Sequence, residues 1–512
     1  MSKFSSLIQL ISSLSKSERK KIASTLGLTG DTSDFITLYK LIDKNQSANQ
    51  QEIKNQFLKK RPTAAFNTAV SYLFDTLLTI LSQLRIDQDS YFSLFNMLMN
   101  AKVLYEKSIY HECFQLITKV QNEAVKYENF SLLLIAQKME LDYLLILDFT
   151  GITEQELLNK QFKINDTLKK IRKINEHASL FELLKHRILH KGTARSKKQK
   201  FDLNDLVVSE MSIVSSSNFD NFEIQKNHML FQSNYLINVG DYKSALNSFY
   251  ELNNTFEKNK HLLSNPPIYY LSTIEGILES LRSIKNYEAM DYFIVQLNKI
   301  ETSSLHFKIQ IKSVVFLYKL FPLIDTGKFD QAKIVVDAHK EELYDKLNLL
   351  IAARQVQVYL YTAIVYLGTR EFSKAKKIIS QMLKEKKPFF SLPLFRTVRL
   401  INLMILNELN EFDYIDFEVR SVKREIQNTE RSYQIELLML KNFNKPINNM
   451  PKRSRDLLWK KTEPKLLEYH NDKFELQLLR IFDFTAWIES KIKNIPLSTI
   501  LKERNFPTES NL

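Results

Sequence analysis

Hydrophobic residues recur along this chain at the spacing of α-helices. At the start of the sequence, Phe4, Leu7, Ile8, Ile11 and Leu14 follow one another at intervals of three, one, three and three residues. Side chains at that spacing share one face of a helix, whereas a half-buried strand alternates at every second residue. No strand-like alternation over six or more residues competes with this pattern. The sequence therefore predicts an all-α protein.

A short motif recurs five times between residues 240 and 415. A small or polar residue is followed by an aromatic residue and then, two or three positions later, by a small or apolar residue. The aromatic residues of the five copies are Tyr242, Tyr287, Phe329, Phe372 and Phe412. Their spacing of about 40–45 residues is typical of stacked helix pairs. An earlier copy is predicted around Tyr110.

Each copy of the motif is interpreted as the turn inside one helix pair. A long apolar helix, such as residues 349–367, ends at a tight turn where Gly368 is expected to adopt the left-handed conformation. The aromatic residue after the turn then packs back over the first helix. Small residues such as Ala332 and Ala375 allow the two helices to approach closely.

The pattern Gly-x-Tyr/Phe-x-x-Ala, as in Gly240 to Ala245, resembles the turn signature of tetratricopeptide repeats over about residues 220–425. The spacing exceeds the 34 residues of that family, and no tryptophan stands in the first helices. The helices are therefore expected to be longer than in the standard repeat, or the array is a divergent relative. The resemblance implies a right-handed α-solenoid of antiparallel helix pairs whose concave face binds a peptide or protein. It implies no catalytic residues.

The regions on either side of the repeats differ from them. We expect an N-terminal helical module at 1–90, a first helical-repeat block at 91–190, a basic and serine-rich linker at 191–221, a repeat array at 222–445 and a C-terminal helical cap at 446–512. Within the cap, an amphipathic helix is predicted over residues 474–493.

Composition narrows the classes of protein that remain. Only 8 glycines occur in 512 residues, which disfavours glycine-rich phosphate loops and tight β-hairpins. The single cysteine, Cys113, cannot form an internal disulfide, so a reducing compartment and a cytoplasmic location are expected. No apolar run approaches the roughly 20 residues of a membrane span.

Candidate chemistry is sparse. The sequence contains no Gly-x4-Gly-Lys phosphate loop, no Gly-x-Gly-x-x-Gly dinucleotide motif and no Gly-x-Ser-x-Gly nucleophile motif. His186 and His190 share a helix face but lack a third ligand at a suitable spacing, and Cys113 is expected to be buried. We therefore expect a protein that is not an enzyme and holds no cofactor or metal.

Polar residues on the first helices of three repeats form the candidate binding site. They are Lys312, Lys319, Arg354, Gln357, Arg396, Arg399 and Asn402. Because first helices line the concave groove of such arrays, these side chains are predicted to form a basic track for an acidic peptide or a carboxylate. Alternatively, they pair with nearby acids such as Glu371, Glu408 or Glu418 and fix the packing of neighbouring units.

The net charge of +14 leaves a nucleic-acid partner as a second hypothesis. Residues 191–200 carry five Lys or Arg and no acid. Residues 33–86 have the layout of a helix-turn-helix, in which Lys59, Lys60 and Arg61 stand just before the long helix. The long helix of that module is strongly apolar, which disfavours groove recognition. The leading hypothesis is a non-catalytic protein–protein interaction scaffold, and the alternative is a nucleic-acid-associated regulator.

Overall fold

A computed structural model describes residues 2–27, 33–44, 50–192, 200–215, 221–302, 304–385, 393–429, 432–443 and 450–505. Every secondary-structure element in these ranges is helical, which confirms the predicted all-α class. The described residues contain 26 α-helices, numbered here in chain order. In the same ranges, no helix is both long and apolar enough to cross a membrane.

The first half of the chain contains α1 (Lys3–Ser13), α2 (Lys16–Thr25), α3 (Asp34–Lys44), α4 (Gln50–Lys60), α5 (Phe66–Ile86), α6 (Ser90–Glu106), α7 (Tyr110–Lys126), α8 (Phe130–Ile146), α9 (Glu154–Lys191), α10 (Asn204–Ser215), α11 (Phe222–Asn238) and α12 (Tyr242–Lys258).

The second half contains α13 (Ile268–Ser283), α14 (Glu288–Asn298), α15 (Leu305–Asp325), α16 (Phe329–Ala338), α17 (Lys340–Leu343), α18 (Ala352–Gly368), α19 (Phe372–Glu385), α20 (Phe395–Glu408), α21 (Phe412–Thr429), α22 (Gln434–Asn442), α23 (Lys452–Asn471), α24 (Glu475–Leu479), α25 (Phe484–Lys493) and α26 (Leu497–Asn505).

Internal contacts divide the chain into two compact units. The first unit comprises Met1–Ile174, His261–Pro266 and Glu301–Lys308. The second unit comprises Asn175–Lys260, Pro267–Ile300 and Ile309–Leu512. Of the predicted linker at 191–221, residues 193–199 and 216–220 lie outside the described residues, and most of the remainder forms helix α10.

In the first unit, helices α1 to α5 surround a hydrophobic core. Leu7 and Ile11 of α1, Phe57 of α4, and Leu73 and Leu77 of α5 are fully buried in it. The long helix α5 thus places its main apolar face against its neighbours. In the helix-turn-helix layout considered from the sequence, α5 is the helix that would enter a nucleic-acid groove. In the structure, its apolar face packs against the other helices of this unit.

Consecutive helices of the second unit pack against one another. Helix α11 contacts α12, α12 contacts α13 and α13 contacts α14, and α18, α19, α20 and α21 follow the same sequential order. First helices also touch the next first helix, as α11 does with α13 and α18 with α20. In these two runs, α11–α14 and α18–α21, each helix therefore packs against its neighbours in sequence.

All five motif copies lie at a turn between two helices. In each, one residue with positive φ follows the first helix: Gly240 (80°), Lys285 (59°), Gly327 (70°), Arg370 (61°) and Asn410 (59°). The next backbone amide donates to the carbonyl five residues earlier, at 2.7–3.0 Å. This left-handed C-terminal cap satisfies carbonyls that the helix end leaves free. The motif aromatics follow two residues after the left-handed residue.

The role expected for Gly368 is wrong. Helix α18 continues through Gly368, and Arg370 is the residue that adopts the left-handed conformation. A Cβ atom on Gly368 would lie 2.2 Å from the ring of Phe329, the motif aromatic of the preceding pair. Glycine is needed there because the ring occupies the space of a side chain.

The single amphipathic helix expected over residues 474–493 is also wrong, because the structure has two helices, α24 and α25, in that range. The side chain of Asp483 accepts a hydrogen bond from the backbone amide of Ala486 at 3.0 Å and so caps α25. An aspartate that caps a new helix favours an interruption of the chain at that point. The apolar spacing continues across the break, which is why periodicity did not reveal it.

Gly327 is the turn residue that tolerates a side chain least. Its φ is +70°, and a Cβ atom at this position would lie 2.5 Å from the carbonyl oxygen of Ser498 in α26. We expect Gly327→Ala to add an overpacking cost of about 1–3 kcal/mol to a left-handed backbone cost of about 1–2 kcal/mol. Thermal unfolding followed by circular dichroism measures the change.

Gly151→Ala is the matched control, since Gly151 has a φ of +78° and nothing within 4 Å of its would-be Cβ atom. Gly151→Ala should lower the free energy of unfolding by the left-handed backbone cost alone. Equal effects of the two substitutions would mean that the contact with Ser498 contributes nothing.

Candidate partner-binding surfaces

Two arginines of the predicted basic track form ion pairs with helices α21 and α22. Arg396 lies 3.1 Å from Glu425 and 3.3 Å from Glu436, and only 6% of it is exposed. Arg399 lies 2.5 Å from Glu418 and 2.7 Å from Glu425. One of the expected acid partners, Glu418, is therefore used. Both guanidinium groups hold α20 against the helices that follow it.

The third arginine of the track joins helices that are far apart in sequence. Both carboxylate oxygens of Glu275 on α13 accept hydrogen bonds from Arg354 on α18, at 2.6 and 2.7 Å. Tyr318 on α15 donates to Glu279 of α13 at 3.0 Å. Charged and phenolic groups thus connect the first helices of three successive pairs.

The remaining members of the track are more accessible. Lys312 forms a salt bridge with Glu342 at 2.6 Å, and both side chains are substantially exposed. Lys319 is exposed, whereas Gln357 and Asn402 are half-buried. Their role in partner binding stays a prediction, and the structure does not gather all seven residues around one charged group.

A second set of buried charges was not anticipated from the sequence. Arg282 of α13 donates two hydrogen bonds to Asp325 of α15, at 2.8 and 2.9 Å, and its side chain is 3% exposed. Arg480, just after α24, lies 2.9 Å from Glu279. Although burial alone would raise the pKa of the Glu279 carboxyl, Arg480 and Arg282 lower it below its ordinary value. These groups stay charged because each faces an opposite charge.

Removing one partner of the Arg282–Asp325 pair should be strongly destabilising. We expect Asp325→Ala to lower the free energy of unfolding by about 3–5 kcal/mol, because it leaves a buried guanidinium without its carboxylate. Denaturant titration of the second unit's transition measures this loss.

The matched variant Arg282→Met/Asp325→Ala removes both charges. It should be less destabilised than the sum of the two single variants, because no unpaired buried charge remains. Additive losses would show that the two side chains do not stabilise each other.

His470, near the end of α23, is held in a polar cluster. Its Nε2 atom lies 2.8 Å from the hydroxyl of Thr485 and 3.2 Å from the guanidinium of Arg504. Arg504 also donates to Asp483 at 2.8 Å. Burial is the main cause that lowers the pKa of His470 below its ordinary value of 6.5, and Arg504 acts in the same direction. Both causes favour the neutral form of the imidazole.

This histidine should make stability depend on pH. Because the folded pKa is lowered, the unfolded chain takes up a proton first as the pH falls below about 6.5. The free energy of unfolding should then fall, by at most about 1.4 kcal/mol from this group at pH 5.5. Unfolding titrations at pH 7.5 and 5.5 measure the difference.

The control is His470→Gln, which retains hydrogen-bonding capacity but does not titrate in this range. Its loss of stability between the two pH values should be smaller than that of the wild type. An identical pH dependence in both proteins would exclude His470 as the cause.

The most conspicuous exposed surface lies on α6 in the first unit. Its members are large apolar side chains, each 36–59% exposed. They are Tyr91, Phe92, Phe95, Met99 and Val103, and we call them the α6 stripe. At 100° per residue, all five fall within about 120° of the helix circumference. The stripe extends over about 18 Å along the helix axis at 1.5 Å per residue.

A second face of α6 is also apolar. Leu94, Leu98 and Ala101 are buried there in a core that includes Cys113 and Ile117 of α7. Helix α6 therefore has one apolar face that is buried and a second, the α6 stripe, that is exposed. The sequence signal for the stripe is the run of large apolar residues at a second set of helical positions within residues 90–106.

The candidate reactive residues are structural where the structure describes them. Cys113 is buried, its sulfur lies 3.2 Å from the carbonyl oxygen of Ala101, and burial raises the pKa of its thiol. The rings of His186 and His190 lie 4.3 Å apart. Within the described ranges, no group of three or more His, Cys, Asp or Glu side chains is arranged to hold a metal ion.

Comparison with known proteins adds no family to this description. No protein-family model matches the chain, and no curated protein is significantly similar to it.

Proposed function

We propose that this chain is a non-catalytic scaffold that binds another protein, and that the α6 stripe is a contact surface. The exposed apolar face of α6 is the observation that carries the proposal. Contiguous exposed apolar surface on a folded chain marks an interaction site. Aromatic and methionine side chains are also the residue types enriched where protein interfaces bury surface.

The occupant proposed for the α6 stripe is an amphipathic helix of a protein partner. The residues Tyr91, Phe95, Met99 and Val103 follow one another at intervals of four, so they form a nearly straight ridge. Such a ridge fits into the groove between side chains of a second helix. Since the ridge is about 18 Å long, it matches about 12 residues of a partner helix.

The proposal includes a divergent tetratricopeptide-like arrangement of residues 222–445 as stacked helix pairs. Three features support it: the near-regular spacing of the five turns, their common left-handed cap, and the sequential packing of α11 to α14 and of α18 to α21. In this arrangement Arg354, Arg396 and Arg399 hold the pairs together. The groove contacts that remain for a peptide are Lys319, Gln357 and Asn402.

Site-specific photo-cross-linking tests the α6 stripe directly. p-Benzoylphenylalanine replaces Met99 in the full-length chain, and the cross-linked product is digested and identified by mass spectrometry after treatment with nuclease. We expect a cross-link to an amphipathic helical segment of another protein. Placing the same group at Ile334 of α16, which is 69% exposed, provides the control.

A binding measurement with the purified partner completes the test. Phe95→Glu/Met99→Glu should weaken binding by at least about tenfold, which corresponds to about 1.4 kcal/mol, because it puts two charges into an apolar contact. Ile334→Glu should bind like the wild type. Cross-links only to a second copy of this chain, cross-links only to nucleic acid, or equal affinities of the two variants would each refute the proposed contact.

A further inference from the structure

A cavity of about 210 Å³ lies within the second unit. Its wall includes the turn residues Gly240 and Lys285, Asp325 at the end of α15, and residues that follow α23, such as Lys473 in the turn before α24. Hydrogen bonds secure this wall: Gln477 donates to the carbonyl oxygen of Asn238 at 3.2 Å, and Asn505 donates to that of Asp325 at 2.6 Å. The cavity is therefore enclosed by elements that are fixed to one another.

The buried charges around the cavity compensate one another. Arg282 is paired with Asp325, and Arg480 is paired with Glu279. The third acid of the region, Asp483, is paired with Arg504 at 2.8 Å. Because each pair is neutral, none of them attracts a charged ligand to the cavity.

Two cations of the wall have no such compensation. Lys285 and Lys473 both line the cavity and are exposed, which places them at its solvent side. Neither side chain forms an ion pair with a described residue, and the ammonium group of Lys473 lies over the ring of Phe474, 5.5 Å from its centre. The mouth of the cavity therefore carries two positive charges that an anion can neutralise.

The rest of the wall combines apolar side chains with two buried polar atoms that have no hydrogen bond to a described residue, Oδ1 of Asn505 and the hydroxyl oxygen of Tyr242. Leu479, Phe482, Ile324 and Leu501 supply hydrocarbon surface. Asn505 also lines the cavity, and its Nδ2 group donates to two carbonyl oxygens, whereas its buried Oδ1 atom accepts no hydrogen bond from any described residue. A buried acceptor of this kind is normally satisfied by a donor from water or a ligand.

We propose that this cavity binds a small organic anion that has an apolar body and a hydroxyl or amino group. The carboxylate or equivalent anion lies between Lys285 and Lys473, the apolar body lies against Leu479 and Phe482, and the donor reaches Oδ1 of Asn505. Sites that combine an apolar wall with a few placed polar groups are the usual form of small-ligand pockets. This site is independent of the proposed protein contact on α6, because it belongs to the other unit.

The probe that tests the proposal is 4-hydroxyphenylacetate, which carries a carboxylate, an aromatic ring and a hydroxyl donor. Two analogues separate the contributions: phenylacetate lacks the donor, and 4-(2-hydroxyethyl)phenol lacks the charge. Saturation-transfer NMR and calorimetry with the full-length protein measure binding. We expect 4-hydroxyphenylacetate to bind most tightly and the uncharged analogue to bind at least about tenfold more weakly.

Variants then locate the bound probe. Lys285→Gln/Lys473→Gln should weaken binding of 4-hydroxyphenylacetate by at least about tenfold, whereas Lys243→Gln/Lys299→Gln removes the same charge from two exposed positions that do not line the cavity and should have no effect. Leu476→Trp, at a partly exposed wall position, should also weaken binding by filling the cavity. Absence of saturation transfer at millimolar probe, or equal affinities of the two lysine double variants, would overturn the proposal.

Discussion

The second unit depends on the compensation of charge in its interior. A guanidinium group removed from water is tolerated only when carboxylates and hydrogen bonds replace its hydration. Arg282 meets this condition with Asp325, and Arg354 meets it with Glu275, so each arginine ties together first helices of different pairs. Apolar packing can be satisfied by several relative positions of two helices, but a bidentate ion pair has a narrow geometry. The relative placement of these helices therefore follows from the positions of a few charges.

The turns of the helix pairs are in contact with the residues that follow α23. Each turn ends a helix with a left-handed residue. Ser498 approaches the turn at Gly327, and Gln477 and Asn505 bond to carbonyl groups at the ends of α11 and α15. Arg480 then extends this contact into the charged interior through Glu279. A segment close to the end of the described chain thus completes a network begun more than 200 residues earlier.

The two units present different kinds of surface. The first unit has an exposed apolar face on α6, which suits a partner that buries hydrocarbon surface. The second unit has a cavity with uncompensated lysines at its mouth, which suits a small anion. The two proposals therefore assign a protein partner and a small anion to different units.

The sequence by itself determined the helical class and the five turns, because helix periodicity and turn chemistry are local properties of neighbouring residues. It placed Arg396 and Arg399 on one helix face and included pairing with Glu418 as an alternative. It could not decide between a free and a paired arginine, since Glu425 and Glu436 approach only when α20, α21 and α22 pack. Tertiary structure alone decided three features: the lack of space for a side chain at Gly368, the mouth of the cavity, and the exposure of the apolar face of α6. Each of them depends on whether atoms from distant parts of the sequence fill the space beside a helix.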